Sequence, residues 1–406
     1  MGSVSFDALV LDAGFRQSLV TVRSLGHRGL EVAALDRRSN APAFSSRWCR
    51  RALVCPAMPA TSEYLDYLEQ ALASTHAPVV IPSADATVDL LRRHRERLTS
   101  SVRIAVADEP AMAIAVDKAR TLAVARDLGI RVPRSVMVRS IADVPDAVKE
   151  IGLPAVIKPG QSWLWGDDAG IRVDSAVVTT VDEAYRAVDG LTRLGDVPLC
   201  QELLSGRREA VSFLYANGEM HARFAQWAKR TCPPLGGESV LRQSIPVPGD
   251  IGEQAERLVR EIDLAGYSEV EFRRDDAGIP FLMEINPRLS ASVEIAVRSG
   301  VDFPYLVYQW ASGARIDTVR SYRAGGWMRH LRGDLMTTLA ALRRRGRPEV
   351  ARPLPALLGF GLSFFKPMGY DYVDWSDPLP AVRAVGQFLR EFTYGAVRVA
   401  SEKIRS

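Results

Sequence analysis

The 406-residue sequence is short of several things at once, and each scarcity narrows what it encodes. Its four cysteines, Cys49, Cys55, Cys200 and Cys232, have no CxxC spacing. That argues against a zinc site or a disulfide framework and suits a reduced, cytoplasmic setting. Five histidines, His27, His76, His94, His221 and His330, form no HxH or HExxH pair, so they are given no metal or catalytic role. Neither charge sign is in excess: 52 basic against 48 acidic side chains leave a net charge of +4, too balanced over this length for a nucleic-acid-binding protein. No run approaches the roughly 18 uninterrupted apolar residues of a membrane span. The opening MGSVSFDALVLDAG carries Asp7 inside a short apolar run and lacks the charged flank and long core of a signal peptide. Internal repeats and low-complexity tracts are missing as well. What is there is the composition of a folded protein, 47% apolar and 25% charged, long enough for two or three compact units.

From Phe6 onward, short apolar runs alternate with longer amphipathic ones. ALVLDAG, EVAALD, PVVIPSAD and VRIAVAD read as strands, separated by helices over Phe15 to Arg28, Ser62 to Ser74 and Ala86 to Leu98. Such alternation implies a parallel sheet covered on both faces, with a ligand crevice at the carboxyl ends of its strands. The loops there are Asp12-Ala13-Gly14, Asp36-Arg37-Arg38 and Ser83-Ala84-Asp85. Near residue 117 the character changes. A helix ended by Gly129, the strand PAVIKP and a helix over Val181 to Leu194 lead into a strand-rich stretch. That stretch comprises PLCQELL, EAVSFLYANGEMHARFAQWA with an Asn217-Gly218 hairpin turn, SVLRQSIPV and SEVEFRRDDAGIPFLMEIN, framed by helices near 251–264 and 290–312. The expected organisation is an α/β unit over 1–112, an α+β unit over 113–318, and a mostly helical, Arg-rich extension over 319–406.

The chemistry concentrates in YSEVEFRR and PFLMEINPR, two strands joined by the turn Asp275-Asp276-Ala277-Gly278. Alternate residues of a strand share a face, so a pairing of Glu271 with Glu284 sets two carboxylates together, with Asn286 beside them. Two such carboxylates repel unless one is protonated or a cation lies between them. Two Glu and one Asn offer the hard oxygen ligands that suit magnesium, and Arg288 beyond Pro287 suits a phosphate oxygen. Solvated faces of a surface hairpin are the plainer alternative. Lys118 at the head of a helix and Lys158 at the end of a strand supply cations for phosphate. In CQELLSGRREAVSF, Glu202 and Glu209 flank a place where a nucleotide fits between two β layers. The backbone of Leu203 and Leu204 would then face adenine, and a carboxylate would face the ribose.

In this order, DK...LGIRVP, AVIKP, QELLSGRREAVSF and VEFRRDDAGIPFLMEINPR resemble the ATP-grasp superfamily over roughly residues 1 to 313, with the leading unit similar to its preATP-grasp domain. The resemblance implies ATP and Mg2+ (or Mn2+) as cofactors. It matches Lys118 and Lys158 to the phosphate lysines, Gln201 and Glu202 with the backbone of Leu203 and Leu204 to the adenine hinge, and Glu209 to the ribose carboxylate. It also matches Glu271, Glu284 and Asn286 to the metal ligands and Arg288 to the arginine at the transferring phosphate. Asp12, Arg16, Ser83 and Asp85 become substrate contacts of the leading unit. Arg242, after Gly236-Gly237, is either a partner for a substrate carboxylate or an exposed hairpin arginine. The loop PGQSWLWGDDAG departs from the usual Gly/Ser-rich phosphate lid by its two tryptophans and by Asp167 and Asp168; Gly166 and Gly170 keep a flexible lid open to it.

The implied activity is ADP-forming ligation of a carboxylate to an amine through an acylphosphate. An ATP-binding regulatory or scaffold protein and a bicarbonate-activating carboxylase are the alternatives. Small-molecule substrates, a homodimer and a cytoplasmic location complete the expectation. The basic, apolar stretch WMRHLRGDLMTTLAALRRRGRPEVARPLPALLGFGLSFFKP is read as a solvated face or subunit contact rather than a membrane-surface segment.

Overall fold

The computed structural model describes residues 5–56, 61–99, 102–165 and 170–390. The first unit is a five-stranded parallel sheet in the order β3-β2-β1-β4-β5, made of β1 (Ala8–Val10), β2 (Val32–Asp36), β3 (Cys49–Val54), β4 (Val79–Ile81) and β5 (Arg103–Ile104). Helices α1 (Arg16–His27), α2 (Ser62–Thr75), α3 (Asp85–Arg93), α4 (Arg95–Thr99) and α5 (Ala111–Ala115) cover it. β1, β2 and β4 are buried at every position, which is what a parallel sheet covered on both faces requires.

Two details differ from the sequence reading. β3 is an edge strand, mostly solvent-facing and carrying Arg50 and Arg51, so its composition hides it. The helix expected over Ala86 to Leu98 is broken into two at His94.

A small lobe follows α6 (Lys118–Asp127), whose first turn is capped by the Asp117 side chain accepting from the Arg120 amide. Its four-stranded antiparallel sheet runs β10-β7-β11-β6, from β6 (Ser135–Met137), β7 (Ala155–Lys158), β10 (Ala176–Val178) and β11 (Leu199–Glu202). Helices α7 (Val144–Ile151) and α8 (Val181–Thr192) pack on one face around Ile157, Val178 and Cys200. A two-stranded hairpin, β8 (Trp163–Trp165) with β9 (Gly170–Arg172), projects after β7. The lid residues Gly166, Asp167 and Asp168 lie outside the described residues.

The third sheet is the largest, in the order β16-β15-β12-β13-β14-β17-β18. β12 (Arg208–Ala216) and β13 (Glu219–Cys232) form the expected hairpin, with φ of 53° at Asn217 and 76° at Gly218. β14 (Glu238–Ile245), β15 (Gly266–Arg274) and β16 (Pro280–Asn286) complete its antiparallel body, with α9 (Gly249–Glu261) on one side. The helix expected over 290–312 is two helices, α10 (Glu294–Ser299) and α11 (Phe303–Ser312). Gly300 at φ 108° ends the first, and the Asp302 side chain caps the second.

The C-terminal extension is largely helical, with α12 (Leu331–Arg343) and α13 (Pro353–Leu362). It also gives β17 (Trp327–Arg329) and β18 (Gly369–Tyr370) to the edge of the large sheet. No described helix is long and apolar enough to cross a membrane.

Candidate active site

The large and small sheets face each other across a cavity of about 610 Å³, closed at one end by loops of the parallel unit. That is within the range of cavities that enclose small ligands. One irregularity in the ladder aims its chemistry. Glu271 pairs directly with Glu284 and Glu269 with Asn286, but beyond Glu271 the register slips, so that Phe272 pairs with Leu282 and Met283 becomes the extra residue. In a regular strand Leu282 and Glu284 would share a face. The bulge lets Leu282 enter the core at 0% exposure while Glu284 and Asn286 line the cavity.

The polar set is closely spaced. Asn286 donates from Nδ2 to Glu271 Oε1 at 3.1 Å, and Arg208 grips the same carboxylate with two donors, one at 2.8 Å. Lys118 and Lys158 are both buried and line the cavity, with Lys118 Nζ 3.2 Å from Ser162 Oγ. Burial pulls the Lys158 ammonium down to about 8, only partly opposed by Glu284. Burial also pushes the Glu284 carboxyl up, but Lys118, Lys158 and Arg208 more than offset it and hold its pKa below the usual range. The two lysines thus sustain the charge of Glu284, and Glu284 in turn favours the charged form of Lys158, in a site otherwise too dry for either. Arg288 is engaged by Asp85 through two contacts, one at 3.0 Å, and Asp85 is held below its ordinary pKa because Arg288 outweighs the effect of burial.

Beyond this set lies a polar floor that the sequence reading missed. Glu269 is 4% exposed and lines the cavity; it accepts from Gln226 Nε2 at 2.9 Å and from Ser212 at 3.4 Å. Gln226 in turn donates to Ser292, which lies 3.0 Å from Ser290. Among the described residues Glu269 has no ion-pair partner within 4.0 Å, and burial, with Glu271 adding to it, raises its pKa to about 7. The signal for it was in the sequence: Glu269 shares strand parity with Glu271. Arg208, the partner of Glu271, was likewise readable two positions before Ala210.

On the hinge side, Glu202, Leu203 and Leu204 line the cavity, with Glu202 also bonded to Arg134. Gln201 pairs in register with Val156, which lines the cavity, and both polar atoms of its side-chain amide are buried without a hydrogen-bond partner among the described residues. Orphaned amide atoms at this place, with two lysines and two carboxylates beyond, fit a purine nucleotide and its metal-bound phosphates.

Other expectations are corrected. Glu209 sits on the opposite side of its strand, pairing with Phe272 and held by Arg207 and Arg274, and does not reach the cavity. Arg242 is neither exposed nor free: at 0% exposure it is chelated by Asp371, which also binds Arg16. Asp12 faces inward, accepting from the amides of Ser83 and Ala84 and the Thr87 hydroxyl, with burial raising its pKa to about 6. Ser83 and Asp85 do line the cavity.

Residues 199–331 match a family described as ATP-grasp in the biosynthetic pathway with Ter operon. The carbamoyl phosphate synthase large chain of Methanoregula boonei is 28% identical over 211 residues, 49% of this chain and 19% of that one. A D-alanine–D-alanine ligase of Ectopseudomonas mendocina is 25% identical over 209 residues, 48% of this chain and 64% of the ligase. The match therefore spans less than two thirds of either relative. Among solved structures, a biotin carboxylase from Campylobacter jejuni in complex with β,γ-ATP superposes with a TM-score of 0.65 at 15% identity, covering 80% of this chain and 74% of that one.

Proposed function

We propose that the chain, which is similar to ATP-grasp proteins over residues 199–331, is an ADP-forming ligase that joins a carboxylate to an amine. The observation that supports it most is the bulge-set pairing of Glu271 with Glu284, beside Asn286 and across from two buried lysines in a single cavity. Glu271, Glu284 and Asn286 would hold magnesium, which supplies charge neutralisation between carboxylates and phosphates when bound. The Leu203 and Leu204 backbone, with the Gln201 amide, receives the adenine, and Lys118 and Lys158 receive phosphate oxygens.

A substrate carboxylate oxygen attacks the γ-phosphorus of ATP; the bond to the β-phosphate oxygen breaks and leaves ADP and an acylphosphate. The amine nitrogen then attacks the acyl carbon, phosphate departs, and the nitrogen gives up a proton. Positioning and charge neutralisation dominate such phosphoryl transfer, so the site needs no nucleophilic triad. Arg288, poised on Asp85, is the guanidinium for the phosphate in flight, and Glu269, a buried carboxylate with no ion pair among the described residues, is the group we assign to the incoming ammonium.

The test is ADP release with Mg2+ across a panel of carboxylates, bicarbonate included, with and without amines, and with hydroxylamine to trap an acylphosphate as a hydroxamate. A carboxylate-dependent hydroxamate supports the reading. ATP binding without ADP release for any pair would instead assign the protein to regulation or scaffolding.

A further inference from the structure

α13 contains no charged residue, and it continues into a helical turn over Ser363–Phe365. One side of this segment is anchored. Arg329 lies 4.4 Å from the Phe360 ring centre and 4.3 Å from that of Phe364, and it donates to the Phe360 carbonyl; Arg230 donates to Ser363 Oγ. The other side is bare. Leu354, Leu357, Leu358, Leu362 and Phe365 are 65%, 47%, 55%, 61% and 85% exposed. Their spacing of i, i+3, i+4, i+8 and i+11 puts them on a single stripe that runs the length of the segment. A folded protein rarely leaves so continuous an apolar stripe in water unless something else covers it.

The surroundings say what does. From Arg343 to Lys366 there are six basic residues, Arg343, Arg344, Arg345, Arg347, Arg352 and Lys366, against one acidic residue, Glu349, for a net charge of +5. Glu349 is buried and already bound to Arg344 and Arg347. Arg343, Arg345 and Arg352 precede the stripe in the chain and Lys366 follows it, and all four are exposed. A twofold pairing of this face with a second copy of itself would bring basic rim against basic rim, which disfavours that occupant. An apolar stripe with a basic rim matches the boundary of an anionic bilayer, where acyl chains meet phosphate headgroups.

We propose that α13 and the turn after it form a docking face for an anionic membrane surface. The Leu/Phe stripe enters the headgroup region, and Arg343, Arg345, Arg352 and Lys366 meet lipid phosphates. The segment lies on the membrane and does not span it, since α13 has only 10 residues. The face is also tied to the active site. In the loop between α12 and α13, Arg344 and Glu349 line the cavity, while Arg347 reaches Glu183 and the Val177 carbonyl of the small lobe.

The test is co-sedimentation of the full chain with vesicles of phosphatidylcholine alone and of phosphatidylcholine mixed with phosphatidylglycerol. Binding to the mixed vesicles alone is expected, falling steeply at salt on the order of 0.5 M. The double substitutions Leu354→Ser with Leu358→Ser, and Arg343→Gln with Arg345→Gln, should each lower the bound fraction about tenfold or more with the melting temperature preserved. Absence of binding to anionic vesicles, or binding indifferent to the leucine substitutions, would overturn the proposal. So would a dimer in solution that those substitutions convert to monomer, because the stripe would then belong to a second copy.

Discussion

Two of the buried charge clusters on the large sheet differ in how their charges are balanced. Toward β14 and β18, Asp371 accepts from Arg242 at 3.1 Å and from Arg16 at 2.5 Å, and Arg16 also meets Glu238. Both arginines outweigh burial and hold the Asp371 carboxyl well below the usual range. This cluster pairs its charges within the chain and ties the parallel unit, the large sheet and the C-terminal extension together. Toward β15 and β16 the balance is left open. Among the described residues Glu269 and Glu284 have no ion pair within 4.0 Å, and Lys158 is pulled down to about 8. A closed cluster stabilises the fold; an open one is kept for ligands.

The same change, acid to amide, should separate the two. Asp371→Asn leaves Arg242 buried without an opposing carboxylate and Arg16 with Glu238 alone, so unfolding free energy should drop by about 3–5 kcal/mol in denaturant titrations. A loss below about 1 kcal/mol would dissolve the distinction. Glu269→Gln should go the other way, with stability at pH 8 unchanged or raised by about 1–3 kcal/mol. The sign follows from its raised pKa. The protonated carboxyl favours the folded state below the unfolded pKa near 4, and that contribution is lost as pH rises through about 7. Between roughly pH 4 and 7 the native protein should therefore lose stability relative to the glutamine variant, and hold a constant deficit above. Meanwhile Glu269→Gln should raise the KM for the amine with little effect on ATP binding.

A smaller effect lies at Lys158. Phosphate binding favours its charged form, so ATP affinity should be flat below pH 8 and fall by up to about tenfold per pH unit above it. Proton uptake on binding there would appear in calorimetry as heat that varies with the buffer. No uptake above pH 8 would take Lys158 away from the phosphates.

The open cluster was largely legible in the sequence, because strand parity and turn chemistry place Glu271, Glu284, Asn286 and Arg288 together without reference to anything distant. The closed one was not. Arg242 looked like a ligand for substrate because its partner, Asp371, lies 129 residues away in a segment read as peripheral. Glu209 was misplaced for a local reason: one position of parity separates the cavity face of β12 from the side that meets Arg207 and Arg274. β3 and β17 were invisible because an Arg-rich edge strand and a three-residue strand carry too little pattern to read. The bulge at Met283 lies beyond local pattern too, since it shows only once Leu282 and Glu284 are seen on opposite faces.

The central claim is that Glu271, Glu284 and Asn286 wait for a metal that ATP brings. It is tested most directly by titrating Mg2+ calorimetrically into ATP-saturated protein, native and Glu284→Gln. The account predicts a saturable magnesium-dependent signal in the native chain and its loss, by at least about tenfold in affinity, in a variant that stays folded and still binds the adenine moiety. Equal magnesium binding by both proteins would contradict it.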